Sequence, residues 1–278
     1  MKVTVEYIWF SSVFCSKTRV VEMLYDPTVE TIPYWKYSEG NTECVIKPHL
    51  LTKNPLLPGT YLALCDSYNI DGTPIATNTR VAAADAFNKE DEPWFGLDQE
   101  YTMRKTDMSM HVQRTVAKQH LAACLEAGIK ISGFKTSSAP MQWEFQIGPC
   151  VGIEASDHLV LARFLLERIA EQYDIAISYD PAHGCYTNFS TRTTREPGGI
   201  EEIYKCMERL AKTHQDKEQC NKNFVNQHFS VGLGSKNTSI RIPKQTFADK
   251  CGYFEDRRPA ANMDPYLVTS KLYTSCCP

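Results

Sequence analysis

Asp98 and Glu100 stand two residues apart in the run PWFGLDQEY, and strand geometry would project both from one face. Carboxylates that close repel, so the pair needs either a nearby cation or open solvent. Glu144 lies in QWEF, where alternation turns Trp143 and Phe145 one way and Gln142, Glu144 and Gln146 the other. Gly148-Pro149 then ends that run with a turn signal. A carboxylate so placed is either solvated or a ligand, and the residues alone leave the choice open. Further on, Glu255-Asp256-Arg257-Arg258-Pro259 brings both signs of charge together, which by itself reads as a surface ion-pair cluster.

The elements that must position these groups follow from hydrophobic period. Residues 3–10 (VTVEYIWF) alternate and are rich in β-branched and aromatic side chains, so they read as a strand. A second strand starts at 16–21 and a third covers 61–67 (YLALCDS), followed by a turn at Asp71-Gly72-Thr73-Pro74. Residues 79–89 are Ala-rich and predict a short helix, and 93–101 form the strand bearing Asp98 and Glu100. An amphipathic helix starts at 111 and ends near Gly128, with Val112, Val116, His120, Leu121, Cys124 and Leu125 as its inner stripe. The clearest helix covers 156–173, capped by Ser156 or Asp157, with Leu159, Ala162, Arg163, Leu166 and Ile169 inward. His120 and His158 are assigned structural places. Residues 175–178 read as a strand, 199–214 as a helix with Ile203, Met207 and Leu210 on one side, and 269–273 as a last helical turn or two.

Composition narrows the class. A chain of 278 residues allows one large or two modest domains. A net charge of −3 without a basic run offers nothing to nucleic acid or an anionic membrane surface. No stretch reaches the roughly 20 apolar residues of a membrane span. The opening MKVTVEYIWF lacks the long apolar segment and cleavage site of a signal peptide, so a cytoplasmic location is expected. The 11 cysteines are scattered without a CxxC pair, and only Cys276 and Cys277 adjoin. That spacing suits neither zinc nor a disulfide framework, and most of them are expected to pack as small apolar residues.

The strings QWEFQIGPC, CYTNFST, SIRIP and GYFEDRRPAAN, with CDSYNIDGTPIATNTR and PWFGLDQEY, resemble the eukaryotic-type glutamine synthetase family from about Tyr7 to Tyr273. The resemblance implies an α+β fold, with a small β-grasp-like N-terminal domain over 1–78 and a larger catalytic domain of antiparallel strands backed by helices over 79–278. It implies ATP-dependent ligation of ammonia to glutamate, with ATP and Mg²⁺ or Mn²⁺ as cofactors. Carried over residue by residue, Asp98, Glu100, Glu144 and Glu255 are metal ligands. Trp94, Asn188, Ser190, Arg241, Tyr253 and Lys236 fall on the nucleotide side. Glu255 and Arg257 take catalytic places, the arginine as a substrate or transition-state cation.

Several letters depart from the family pattern. Asp98 stands where a longer glutamate is usual, and Val151 in PCVGI replaces a ligand carboxylate. Tyr186 in GCYTNFS replaces a histidine, and a phenol with pKa near 10 is a poor magnesium ligand. His183, three residues earlier, would face the other way along a strand. Lys236 replaces an arginine and keeps charge without fork geometry. Pro181 replaces an asparagine that holds glutamate in the family. The family's DGSS loop for ammonium, its long excursion after Tyr101 and its RRLTGxHET segment have no counterpart, the last position being taken by 215–226. The expectation is a glutamine synthetase-like protein with weak or no synthetase activity that still binds nucleotide. The alternatives are an active amine ligase with a reduced metal site, and a non-catalytic structural or regulatory subunit. Because the family shares sites between neighbouring subunits, the expected partners are further copies or an active homologue, beside ATP, glutamate and ammonium if active.

Overall fold

Strand alternation in this chain resolves into two sheets, each in its own unit. A computed structural model describes every residue except 12, 41, 137–140, 214–219 and 221–226. The first unit comprises residues 1–82 with 122–129, and the second comprises 83–121 with 130–278.

The first unit holds β1 (Lys2–Phe10), β2 (Phe14–Glu22), β3 (Trp35–Glu39), β4 (Thr42–Lys53) and β5 (Thr60–Asn69), in the sheet order β2-β1-β5-β4-β3. The β1–β5 pair is parallel and the rest are antiparallel. Val3, Val5, Tyr7 and Trp9 alternate into a core with Ile46 and Ala63, which is the period-2 signal that marked this strand in the sequence. The sequence reading missed β3 and β4. Pro48 removes a ladder donor within β4, and the register shifts there, so the run does not look like a strand. Trp35 pairs with Ile46 and Glu39 with Thr42, so a short hairpin stands where the family was expected to place a loop.

The remaining elements are α1 (Arg80–Ala86), β6 (Trp94–Arg104), α2 (Met110–Glu126), β7 (Ile131–Thr136), β8 (Gln142–Val151), α3 (Glu154–Glu171), β9 (Ala176–Ser178), β10 (Cys185–Ser190), α4 (Arg192–Arg195), α5 (Ile200–Thr213), β11 (Val231–Leu233), β12 (Ile240–Ile242), α6 (Lys244–Asp249), β13 (Phe254–Asp256) and α7 (Pro265–Cys276). The second sheet runs β11-β12-β13-β10-β6-β8-β7, with β9 added on β6. Its pairs are antiparallel except β11–β12. This is the mixed α+β arrangement expected, with α3 packed on β6, β8 and β9. Residues 215–226, singled out in the sequence, fall outside the described residues apart from Cys220.

Burial corrects several sequence expectations. The stripe of α2 runs through Gln113, Val116, Ala117, His120 and Cys124, while Leu125 is exposed. Gln113 belongs inside because the indole N–H of Trp143 needs an acceptor there and donates to it at 2.9 Å. Neither Ser156 nor Asp157 caps α3, which starts at Glu154 without a side-chain cap. Instead, the Ser156 hydroxyl donates to the Pro265 carbonyl at 3.0 Å, and Asp157 accepts from Tyr266 at 2.8 Å. The final helix α7 is far longer than the expected turn or two, because Asp264 accepts from the N–H groups of Tyr266 and Leu267 and Pro265 opens the first turn. Gly148-Pro149 bends β8 without ending it, as a bulge opposite Gly96. A Cβ at Gly148 would lie 2.6 Å from the Phe95 carbonyl oxygen, and its φ of +107° suits only glycine. Of the 11 cysteines, none of them in a disulfide, seven are buried as expected. Among the described residues, no helix is long and apolar enough to cross a membrane.

His120 illustrates a buried polar group that tolerates only one protonation state. Its Nε2 lies 3.0 Å from the Ala162 carbonyl and its ring meets Phe145 edge-on at 4.8 Å. Burial pushes the imidazole down from 6.5 to about 4. The unfolded chain therefore binds a proton that the fold excludes between those values, and stability falls as pH drops through that window. His120→Gln is expected to flatten the fall in unfolding free energy, measured by urea titration, between about pH 6.5 and pH 4.5, relative to the unsubstituted protein, by up to ~1.4 kcal/mol per pH unit.

Candidate functional site

The second sheet brings the candidate residues together through register. Along β6, Phe95, Leu97, Gln99, Tyr101 and Met103 are buried, while Gly96, Asp98, Glu100 and Thr102 share the opposite, half-open face. Glu100 pairs with Glu144 on β8, and Glu144 pairs with Lys135 on β7. One row along, Asp98 lies between Gln146 on β8 and Tyr186 on β10. The next row runs Gly96, Asn188, Glu255, Arg241 and Gly232 across β6, β10, β13, β12 and β11. Residues distant in sequence thus line one face in three adjacent rows.

Each carboxylate on this face has its own compensation. Glu144 is 5 % exposed and its Oε1 takes the Lys135 ammonium at 2.8 Å and the Gln146 amide at 2.6 Å. Glu100 Oε2 accepts from the Gly184 N–H at 2.7 Å and from the Tyr186 hydroxyl at 3.4 Å. Glu255, 2 % exposed, is gripped by Arg241 Nε and by Arg257 Nη1, the latter at 3.0 Å. Asp98 lies next to the Asn188 amide and in the fields of Glu144 and Glu255. Burial first, and those two charges next, push its carboxyl up to about 7.

Tyr186 takes the central place that the resemblance gave to a histidine. Its ring lies 3.9 Å from the Arg257 guanidinium and folds over Gly184, where no Cβ would fit. Burial first, and the Glu100 charge next, raise the phenol, so it stays protonated and donates. His183 precedes β10, in a turn closed by its N–H to the Asp180 carbonyl, so the alternation argument does not apply to it. Its Nδ1 lies 3.3 Å from the Gln142 amide. Lys236 contributes its carbonyl, which accepts from Arg257 Nε at 3.1 Å, while the residue itself is exposed. Val151, 48 % exposed, pairs with Trp94 at the other end of β8.

Beside these rows lies a cavity of about 440 Å³ lined by Trp94, Asp98, Asn188, Ser190, Arg195 and Tyr253, with Gly96 and Gly148 leaving part of its wall as bare backbone. Arg195 escaped the sequence reading. It stacks 4.0 Å over Trp94 and donates to Ser190 Oγ at 3.0 Å, and only its place on the short helix α4, after the CYTNFST string, hinted at it. Lys135 also escaped, because nothing in GFKTS marks a cation as facing the sheet rather than solvent. The EDRRP run divides by alternation. Glu255 and Arg257 belong to this face, while Asp256 and Arg258 form their own buried fork at 2.9 and 2.7 Å.

A pair of divalent ions needs several free oxygen ligands per ion. Among the described residues, no three His, Cys, Asp or Glu side chains come together closely enough to hold one. The oxygens of Glu144, Glu100 and Glu255 that make contacts are taken by Lys135, by Gly184 and Tyr186, and by two arginines. The side chains present do not fit a paired-metal centre.

No family model matches the chain. It is 34% identical to a cytosolic glutamine synthetase isozyme of Pinus sylvestris, over 98% of this chain and 92% of the relative. It is 36% identical to a glutamine synthetase of Agaricus bisporus, over 97% and 92%. The first alignment takes 330 positions against a chain of 278 residues, so the relative has segments with no counterpart here. In three dimensions it resembles a novel glutamine synthase homolog, with TM-score 0.73, 14% identity, and 99% of this chain matched to 82% of that one. It also resembles a GmaS/ADP complex, with TM-score 0.76, 13% identity, and 98% matched to 77%. Identities that low speak for the fold alone.

Asp98 gives the site a measurable signature. With its carboxyl raised from 3.8 to about 7, the folded chain keeps a proton that the unfolded chain releases, so stability falls as pH climbs through that window. In chelator-containing buffer, Asp98→Asn is expected to raise the urea midpoint at about pH 8 and to leave it nearly unchanged at about pH 4. An equal effect at both values would rule out this electrostatic account.

Proposed function

Since this chain belongs to the glutamine synthetase family, we propose that it is a nucleotide-binding member in which glutamate–ammonia ligation is weak or absent. The observation that carries this reading is that Glu144, Glu100 and Glu255 each have one oxygen already engaged by two of the protein's own donors. Moving a phosphoryl group from ATP to a carboxylate brings two anions together, and metal ions with positioned cations normally offset that charge. Arg241 and Arg257 are placed to supply part of the offset, but both are committed to Glu255. Val151 adds an apolar side chain where a further oxygen ligand was expected. The segments expected to close over glutamate and ammonium lack counterparts, and without closure water competes for an acyl phosphate.

Nucleotide binding is supported by the cavity. Trp94 and Tyr253 offer aromatic faces, Gly96 and Gly148 let a flat ring approach backbone, and Ser190 and Asn188 lie on one wall. A structural neighbour described as an ADP complex is consistent with that use of the fold, by analogy. A second reading, an active ligase with a reduced metal site, draws on the retained placement of Glu100, Glu144, Glu255 and Arg257 on one face.

Incubation with glutamate, hydroxylamine, ATP and either Mg²⁺ or Mn²⁺ is expected to give no γ-glutamyl hydroxamate above background. Calorimetry is expected to register ATP binding at millimolar concentration, weakened about tenfold in Arg241→Ala. Sustained hydroxamate that disappears in Glu144→Ala would replace the first reading with the second. An absence of binding heat at millimolar ATP would remove the nucleotide assignment.

A further inference from the structure

The cation beside Glu144 is part of the chain. Lys135 on β7, Glu144 on β8 and Glu100 on β6 form one transverse row of the sheet, so the lysine is aimed by strand register rather than by chance contact. Its Nζ lies 2.8 Å from Glu144 Oε1, a carboxylate that is almost wholly buried, while the lysine side chain as a whole is 59 % exposed. Burial draws the ammonium toward its neutral form, but the bond to Glu144 and the fields of Glu144, Asp98 and Glu100 outweigh this and hold the proton more tightly than usual. The Gln146 amide completes the shell on the same oxygen at 2.6 Å. A divalent ion entering here would have to displace both donors from Oε1 or bind beside a positive charge, and Val151 offers it no oxygen in return.

We propose that Lys135 is a tethered cation occupying the place of a divalent ion beside Glu144 and Glu100, making this side of the site self-neutralised and closed to metal. The proposal rests on the reading above that paired-metal chemistry is absent, and it explains how the buried carboxylates can be tolerated without an ion. An ammonium carries half the charge of Mg²⁺ or Mn²⁺ and, although its three N–H bonds can reach more than one oxygen, it has no empty orbital to accept their lone pairs, so it stabilises the fold while leaving no Lewis acid for phosphoryl transfer.

The test is Mn²⁺ binding by the full chain, followed by calorimetry and by the electron paramagnetic resonance signal of free Mn²⁺, with no nucleotide present. Lys135→Ala and Lys135→Met should each bind Mn²⁺ at least about tenfold more tightly than the unsubstituted protein, and Lys135→Arg should not. Without metal, the two neutral variants should melt at lower temperature, and Mn²⁺ should raise their melting temperature more than it raises that of the unsubstituted protein. The methionine keeps the stem, so a packing defect in the alanine variant alone does not decide the result. Neutral variants that bind Mn²⁺ no more tightly than the parent would overturn the proposal. Hydroxamate formation by the unsubstituted protein would instead count against the functional reading, and the Mn²⁺ titrations would still judge Lys135 on their own.

Discussion

Everything at the site depends on the register between β6 and β8. One face of this strand pair carries Phe95, Leu97, Tyr101, Trp143 and Phe145 into the interior, and the other carries Asp98, Glu100 and Glu144. A slip of one residue would bury the carboxylates among aromatic rings and expose the core. The hydrophobic side therefore fixes the charged side. The polar face need not contribute stability to be well ordered, and it is free to hold like charges that a less constrained surface would push apart.

How those charges are tolerated separates this chain from the simple expectation of a metal centre. Glu255 is matched by two arginines, Glu144 by a lysine and an amide, and Glu100 by a backbone N–H and a phenol. Asp98 is left to respond by proton affinity. Positive charge in this arrangement is delivered by covalently attached side chains, each with a fixed reach and a fixed number of bonds. Such groups can hold an anionic ligand or a developing charge only when they are free to face it, and here they are engaged by Glu144 and Glu255.

Much of this was legible in the sequence. The strands β1, β5, β6 and β8 announced themselves, as did α3: one-sided burial gives β1 and β6 a visible alternation, whereas β5 and α3, buried on more than one side, stand out as apolar runs of strand and helix length. The shared face of Asp98 and Glu100 followed from the same rule. What escaped was set by long-range pairing. The hairpin of β3 and β4 was hidden by Pro48, and the bulge at Gly148 was mistaken for an ending because local residues cannot reveal that a neighbouring strand has a glycine opposite. Lys135 and Arg195 were invisible because nothing in the letters around a surface-type cation tells which buried partner a distant strand will bring to it. His183 was misassigned for a related reason, since it lies in a turn where strand parity does not hold.

Tyr186 and Val151 replace residues expected to bind metal, yet they differ in reversibility. Val151 is half in solvent near a strand end, and a different side chain there would disturb little. Tyr186 is interlocked: its ring occupies the space above Gly184, supports the Arg257 guanidinium and donates to Glu100. Exchanging it would leave a void, loosen an arginine and remove a donor from a carboxylate at once. The ring at 186 is thus tied to three neighbours at once, so a different side chain there would have to be matched by adjustments at Gly184, Arg257 and Glu100 together.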